Sequence, residues 1–164
     1  MTCIEAVIAH APFTVRRRIR WGECDPAGVV YTPCFSEYVI ATAELFYERL
    51  FDTPPQRAKD ELEFGTPTRA LAFDFRRSLW PDESIDIEVA VDTIGTRTYT
   101  LAITARMSEG GDTAFVARLT PICVRRGTRN AISVPAGLRD ALEQYRRHCE
   151  AATRPHPIHQ GESA

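Results

Sequence analysis

The sequence has a single lysine, Lys59, among its 164 residues, and none of its cysteines form a CxxC pair. Its formal net charge is only −2, so no global field would draw the protein onto nucleic acid or an anionic membrane. The chain also lacks a glycine-rich phosphate loop, a set of zinc ligands and a nucleic-acid-binding motif. We therefore expect no nucleic-acid partner, no membrane partner, no metal and no cofactor.

Two further absences bear on location. No apolar run approaches the ~20 residues that a membrane-spanning helix needs. Residues 1–12 carry Glu5 and no basic start, which is unlike a signal peptide. The five cysteines form an odd-numbered set, so a stable disulfide framework is not expected. These features predict reduced thiols and a cytoplasmic location.

What the chain does have is the composition of a soluble globular protein, with 44% hydrophobic and 26% charged residues. Residues 13–20 alternate as a strand does, and residues 33–51 place apolar side chains at the three- and four-residue spacing of a long helix. Four segments with a period of two follow at 67–79, 84–95, 97–109 and 112–126, and a terminal helix follows at 135–151. This order predicts an α+β fold with one domain over residues 1–150 and a disordered tail over 151–164.

The most informative stretch is WGECDPAGVVYTPCF, residues 21–35, which leaves the first strand and enters the long helix. Asp25 followed by Pro26 is typical of a surface turn with a solvated carboxylate. The alternative is that this loop holds the carboxylate beside the start of the helix, where Thr32 would be the N-cap and Pro33 the first helical residue.

The segment GECDPAGVVYTPCFSEY, residues 22–38, resembles the hotdog-fold acyl-CoA thioesterases. The branch it resembles is the 4-hydroxybenzoyl-CoA thioesterase type, in which a G-D-C-D-P-A-G-[IV]-V stretch holds the catalytic Asp. The similarity is nearly continuous over residues 21–33 and extends more loosely over residues 13–150. It implies a hotdog fold, an antiparallel sheet wrapped around a long central helix, and hydrolysis of an acyl-CoA to a free acid and CoA.

The resemblance also implies roles for the residues of this loop. Asp25 would attack the thioester carbonyl or act as general base on water, and the sequence leaves these two open. The backbone amide of Thr32, at the start of the helix, would stabilise the oxyanion. Gly28 would let the loop backbone approach the thioester. Glu23 is expected to be a structural or solvated carboxylate, and a role in tuning Asp25 is the alternative.

Binding residues follow from the same resemblance, which favours an aromatic, benzoyl-type acyl group. CoA phosphates pair well with arginine, although each predicted CoA contact could equally be a solvated surface residue. The expected acyl contacts are Tyr31, Thr66 and Thr68, although Thr66 and Thr68 could equally serve core packing or a turn. The expected CoA contacts are Arg97, Thr98, Arg126 and Arg129.

The fold implied by the resemblance also predicts association, because a hotdog monomer leaves a sheet edge unpaired. We expect a homodimer or homotetramer with each active site at a subunit interface. Two other functions remain open from the sequence. One is a thioesterase that acts on an acyl carrier protein, and the other is a non-catalytic hotdog module that binds acyl groups.

Overall fold

The structure, a computed structural model, describes residues 3–153. Its main feature is a six-stranded antiparallel sheet in the order β1-β2-β5-β6-β7-β4, accompanied by a separate two-stranded sheet, β3-β8. The strands are β1 (Glu5–His10), β2 (Phe13–Arg18), β3 (Phe64–Gly65), β4 (Thr68–Phe75), β5 (Ser84–Ile94), β6 (Tyr99–Met107), β7 (Thr113–Pro121) and β8 (Val124–Arg125), and the helices are α1 (Cys34–Phe51), α2 (Pro55–Glu61) and α3 (Ala136–Thr153). The α+β hotdog fold expected above is confirmed.

Helix α1 supplies the centre of the hydrophobic core. Its inward residues recur every three or four positions, so they form one stripe that packs against the sheet. Phe46 contacts Phe13 of β2 and Tyr145 of α3, with ring centroids 5.8 and 4.9 Å apart. The core therefore fixes α1 against both the sheet and the terminal helix.

The start of α1 differs from the sequence prediction. The helix begins at Cys34, and its N-cap is Pro33, which already has helical backbone angles (φ −59°, ψ −29°). Thr32 makes no side-chain cap because the chain enters through a turn, in which the Cys34 amide donates to the Tyr31 carbonyl at 2.9 Å. Thr32 thus lies just before the helix, with its backbone at the helix entrance.

Strand β1 was not predicted from the sequence. It pairs with β2, with Val7 opposite Val15, although a bulge interrupts the register. Its apolar residues Val7 and Ile8 are both exposed, so the segment lacks the alternation that identified the other strands.

At the other end of the chain α3 extends to Thr153, so residues 151–153 are helical rather than disordered. Residues 154–164 of the predicted tail lie outside the described residues.

Strand β4 lies at an edge of the main sheet and is shorter than predicted. It ends at Phe75 because the chain turns there, with the amides of Arg76 and Arg77 both donating to the Ala114 carbonyl. The following residues, up to Leu79, run beside the loop that carries Asp25, where the Val30 amide donates to the Leu79 carbonyl at 2.9 Å.

Within residues 3–153 no helix is long and apolar enough to span a membrane.

Candidate active site

Residues 24–30 form a compact loop between β2 and α1. The loop is closed by an antiparallel bridge between Cys24 and Val30. Inside it, the Asp25 amide donates to the Val29 carbonyl and the Gly28 amide donates to the Asp25 carbonyl, both at 2.9 Å. Gly28 has φ +84°, a region that glycine occupies without strain. The glycine is therefore required by the turn itself, and its close approach to a thioester stays a prediction.

The carboxylate of Asp25 is half-buried. Its Oδ1 accepts a hydrogen bond from the Ala27 amide at 2.8 Å, which orients the side chain within the loop. Asp25 also lines a cavity of about 370 Å³, which we call the Asp25 cavity. Its lining residues are Asp25, Val29, Val30, Thr32, Phe35, Phe75, Arg76, Arg77, Ser78 and Leu79. The structure therefore brings Asp25 and Thr32 to one cavity, as the sequence predicted.

The start of α1 opens onto this cavity. The carbonyls of Thr32 and Pro33 accept hydrogen bonds from the amides of Phe35 and Ser36, which begin the helical ladder. Among the residues that the structure describes, no acceptor is paired with the Thr32 amide. A free amide at the positive end of a helix is suited to stabilising an oxyanion.

The two thiols beside the loop are poor nucleophiles. Burial and the nearby negative charges of Glu23 and Asp25 raise the pKa of the Cys24 thiol. Burial and the charge of Glu37 raise the pKa of the Cys34 thiol. Because the thiolate is the reactive form, these shifts disfavour a cysteine mechanism.

Glu23, two residues before Asp25, has a very different environment. Its side chain is only 5% exposed, and its two oxygens accept hydrogen bonds from Arg17, Arg20 and Tyr38. Burial alone would raise the pKa of Glu23, but hydrogen bonds from Arg20, Tyr38 and Arg17 outweigh it, so the pKa lies below its ordinary value. Glu23 is therefore a buried, ionised structural carboxylate rather than a solvated one.

Aromatic side chains form one wall of the Asp25 cavity. Phe35 of α1 and Phe75 at the end of β4 pack edge to face, with ring centroids 4.8 Å apart. Phe75 is 46% exposed, so its ring is available to a ligand. The sequence did not identify Phe75 as a contact. The two-residue alternation of Leu71, Phe73 and Phe75 was the signal, since it places all three on the face of β4 that looks toward α1.

A second cavity, of about 530 Å³, lies between α2, β3 and β8. We call it the arginine cavity. Its lining residues are Gln56, Lys59, Phe64, Gly65, Thr66, Pro67, Val124, Arg125, Arg126, Gly127 and Arg129. It thus places Thr66, which was predicted as an acyl contact, away from Asp25 and beside Arg126 and Arg129, which were predicted as CoA contacts. It also adds two further cations, Lys59 and Arg125.

The charges of the arginine cavity are only partly neutralised. Arg126 pairs with Asp60, and its backbone amide donates to the Glu63 carbonyl at 3.0 Å. The ammonium of Lys59 lies 5.3 Å from the centre of the Tyr47 ring, and burial lowers the pKa of Lys59. The cavity is therefore a cationic recess of the kind that binds phosphate groups.

The remaining candidates lie outside both cavities. Tyr31 is 55% exposed, and its amide donates to the Glu23 carbonyl. Thr68 begins β4, opposite Pro121. Arg97 is exposed and its carbonyl accepts from the Cys123 amide, while Thr98 bridges to Ile122.

The two cavities are far apart within one chain. Phe75, at one end of β4, lines the Asp25 cavity, and Thr66 precedes the other end of the strand at Thr68. Eight residues of β4 span roughly 23 Å at the usual rise per residue. A single protomer therefore separates the predicted catalytic group from the predicted phosphate contacts by about the length of this strand.

The third cavity and the titratable side chains offer no comparable site within the described residues. A cavity of about 680 Å³ between α3 and β5 contains none of the candidate residues. Over residues 3–153 the structure assembles no group of three or more His, Cys, Asp or Glu side chains that could hold a metal ion. The Asp25 cavity is thus the place where the chain brings a half-buried carboxylate to a helix N-terminus.

Comparison with known proteins identifies the family to which the chain is similar. A family model described as "Thioesterase-like superfamily" matches residues 19–142. A 4-hydroxybenzoyl-CoA thioesterase from Pseudomonas sp. (strain CBS-3) is 28% identical over 130 residues, which cover 75% of this chain and 92% of that protein.

Solved structures share the fold at low identity. A 1,4-dihydroxy-2-naphthoyl-CoA thioesterase from Synechocystis superimposes with a TM-score of 0.72 at 17% identity, over 79% of this chain and 94% of the other. A Staphylococcus aureus protein solved in complex with CoA gives a TM-score of 0.77 at 12% identity, over 100% and 98% of the two chains.

Proposed function

The chain belongs to the thioesterase-like superfamily, and we propose that it is a thioester hydrolase that converts an acyl-CoA to a carboxylic acid and CoA. One observation carries this proposal. The half-buried Asp25 carboxylate and the helix entrance at Thr32 line the same cavity.

The proposed chemistry follows from these two groups. Asp25 either attacks the thioester carbonyl to give an anhydride that water then opens, or it takes a proton from the attacking water. In both cases the carbonyl oxygen becomes negative, and the Thr32 amide at the positive end of α1 stabilises it. Collapse of the intermediate expels the CoA thiolate, which takes up a proton.

We propose that the acyl group is aromatic. Phe35 and Phe75 offer one edge-to-face pair beside Asp25, and a planar ring can pack against the exposed Phe75. The Pseudomonas relative is named for an aromatic acyl-CoA, which agrees with this choice.

We propose that the CoA portion of the substrate is bound by a second subunit while its thioester lies in the Asp25 cavity. β4 is an edge strand, and a two-fold axis perpendicular to the sheet would pair it antiparallel with β4 of another copy. That pairing would bring the arginine cavity of one protomer near the Asp25 cavity of the other, because the two ends of β4 exchange places. The separation of roughly 23 Å within one chain would thus be bridged in the dimer.

Thiol release from a panel of thioesters tests the proposal. We expect turnover of benzoyl-CoA and 4-hydroxybenzoyl-CoA with a higher kcat/KM than that of acetyl-CoA and hexanoyl-CoA. Phe75→Ala should narrow this preference, while Ile8→Ala, at an equally exposed position on β1, should not. If only acyl carrier protein substrates are turned over, the enzyme is a thioesterase of acyl carrier proteins and not of acyl-CoA. If acyl-CoA binds without turnover, the protein is an acyl-binding module.

A further inference from the structure

Glu23 occupies a position from which it can control the reactive loop. We propose that Glu23 is a positioning residue that fixes residues 24–30, and with them Asp25, relative to the start of α1. This inference rests on the proposed function for its kinetic consequence, although the anchoring itself can be measured without any substrate.

The carboxylate of Glu23 joins three separate segments. Its Oε1 accepts from Arg17 Nη2 of β2 at 2.5 Å and from Arg20 Nε at 2.8 Å. Its Oε2 accepts from the Arg20 amide and from the hydroxyl of Tyr38 of α1, both at 2.9 Å. Glu23 is only 5% exposed, so these donors take the place of water around its buried charge. The position of the carboxylate relative to its donors is therefore strongly constrained.

The backbone of Glu23 holds the other end of the loop. Its carbonyl accepts from the Tyr31 amide at 2.9 Å and from the Cys34 thiol at 3.6 Å. The hydrogen bond between the Tyr31 amide and the Glu23 carbonyl therefore holds the two ends of the loop together. Asp25 follows that point by two residues, and Thr32 follows Tyr31 by one.

The partners of Glu23 are themselves held in place. Arg17 is 7% exposed, its guanidinium lies 4.2 Å from the centre of the Tyr38 ring, and it also pairs with Glu5. Tyr38 is fully buried in the core face of α1. Through these contacts Glu23 fixes the loop relative to both β2 and α1. A displacement of about 1 Å at a reacting group can cost on the order of 10² in rate.

The variant Glu23→Gln removes the charge but preserves the side-chain size. We expect kcat for 4-hydroxybenzoyl-CoA to fall by about 10–100-fold while KM stays within about twofold, because the substrate contacts are elsewhere. Amide hydrogen exchange at Ala27 and Gly28, whose protection comes from Asp25, should accelerate. The matched control is Asp86→Asn, which breaks a carboxylate–arginine pair with Arg16 away from the loop and should change neither.

Tyr38→Phe provides a second variant should Glu23→Gln fail to fold. It removes one donor to Glu23 and retains the ring, and it should lower kcat in the same direction by a smaller factor.

The outcomes separate this proposal from the proposed function. Unchanged kcat and unchanged exchange at Ala27 and Gly28 in the two variants would overturn the positioning role. A wild-type protein without thioesterase activity would overturn the proposed function, and the exchange measurement would still decide whether Glu23 anchors the loop. Reduced melting temperature with normal kcat and normal exchange would make Glu23 structural only.

Discussion

Glu23 and Asp25 are two residues apart, yet their carboxylates have opposite surroundings. Glu23 is buried and has both oxygens occupied by arginine, amide and tyrosine donors. Asp25 accepts from the amide of Ala27 and faces a cavity. A fully paired carboxylate is held as a stable anion, whereas one that borders a cavity can reach a substrate. The contrast explains why the reactive role is proposed for Asp25.

The lowered pKa of Glu23 predicts how stability depends on pH. An unfolded glutamate protonates near pH 4.5, but folded Glu23 stays ionised to lower pH. The unfolded state therefore binds more protons below pH 4.5, and the stabilisation from Glu23, complete above that value, is lost as pH falls through the folded pKa.

Denaturant unfolding between pH 7 and pH 3 measures this effect. We expect the stability difference between wild type and Glu23→Gln to be largest near neutral pH and to shrink on acidification below pH 4.5. A difference that stays constant down to pH 3 would show that the ionised form of Glu23 does not stabilise the fold.

Single residues differed in how well the sequence predicted them. Asp25 and Thr32 share a cavity, and the sequence could bring them together because both lie in the segment just before α1. The Glu23–Tyr38 hydrogen bond joins residues 15 positions apart, and its formation depends on how α1 packs against β2. Likewise, Phe75 reaches the cavity only because β4 ends beside the Asp25 loop, which alternation alone does not specify.

Among the elements, the edge strand β4 determines whether two chains can share a site. Its outer positions are exposed, and Ala72 lies near its middle, opposite Arg118 of β7. If two copies pair along β4, charges placed at this position would lie close together across the two-fold axis and repel.

We therefore expect Ala72→Glu to shift the protein toward the monomer and to reduce thioesterase activity in parallel. Ala6→Glu makes the same change on β1, at the opposite edge of the sheet, and should leave the β4 pairing intact. Analytical ultracentrifugation with activity measured on the same samples tests this. Equal effects of the two substitutions, or an active monomer, would argue against pairing along β4.

The elements themselves were largely predictable. Helix α1 and strands β5 and β6 have regular apolar periodicity and were found within a few residues of their bounds. Strand β1 was missed because its exposed Val7 and Ile8 give no such pattern. The segment 112–126 was predicted as one strand, which is wrong, because β7 ends at Pro121 and residues 124–125 form β8 in the separate sheet. Strand β3 was missed, since two residues are too few for any period to be detected.

At the scale of the whole molecule, the proposal requires two chains for each site. Asp25 would come from one protomer, and the cations of the arginine cavity, such as Arg126, would come from its partner. Hybrid dimers test this arrangement directly. In a dimer of one Asp25→Asn chain and one Arg126→Gln chain, one of the two sites would have both groups intact.

We expect such hybrids, purified with two different affinity tags, to regain up to about half of wild-type turnover with a wild-type KM. The parent dimers should fail for different reasons: Asp25→Asn in kcat, and Arg126→Gln in KM. If each site is built from a single chain, no site in the hybrid will have both groups intact, and the hybrid will not regain turnover at a wild-type KM.

The proposed role of Asp25 is tested by the turnover of Asp25→Asn on 4-hydroxybenzoyl-CoA, compared with Asp140→Asn, which alters an exposed carboxylate on α3. We predict that kcat falls by about 10²–10⁴-fold in Asp25→Asn, because neither nucleophile nor general base remains, and that it is unchanged in Asp140→Asn. Turnover by a folded Asp25→Asn protein at the wild-type rate would contradict the proposed mechanism.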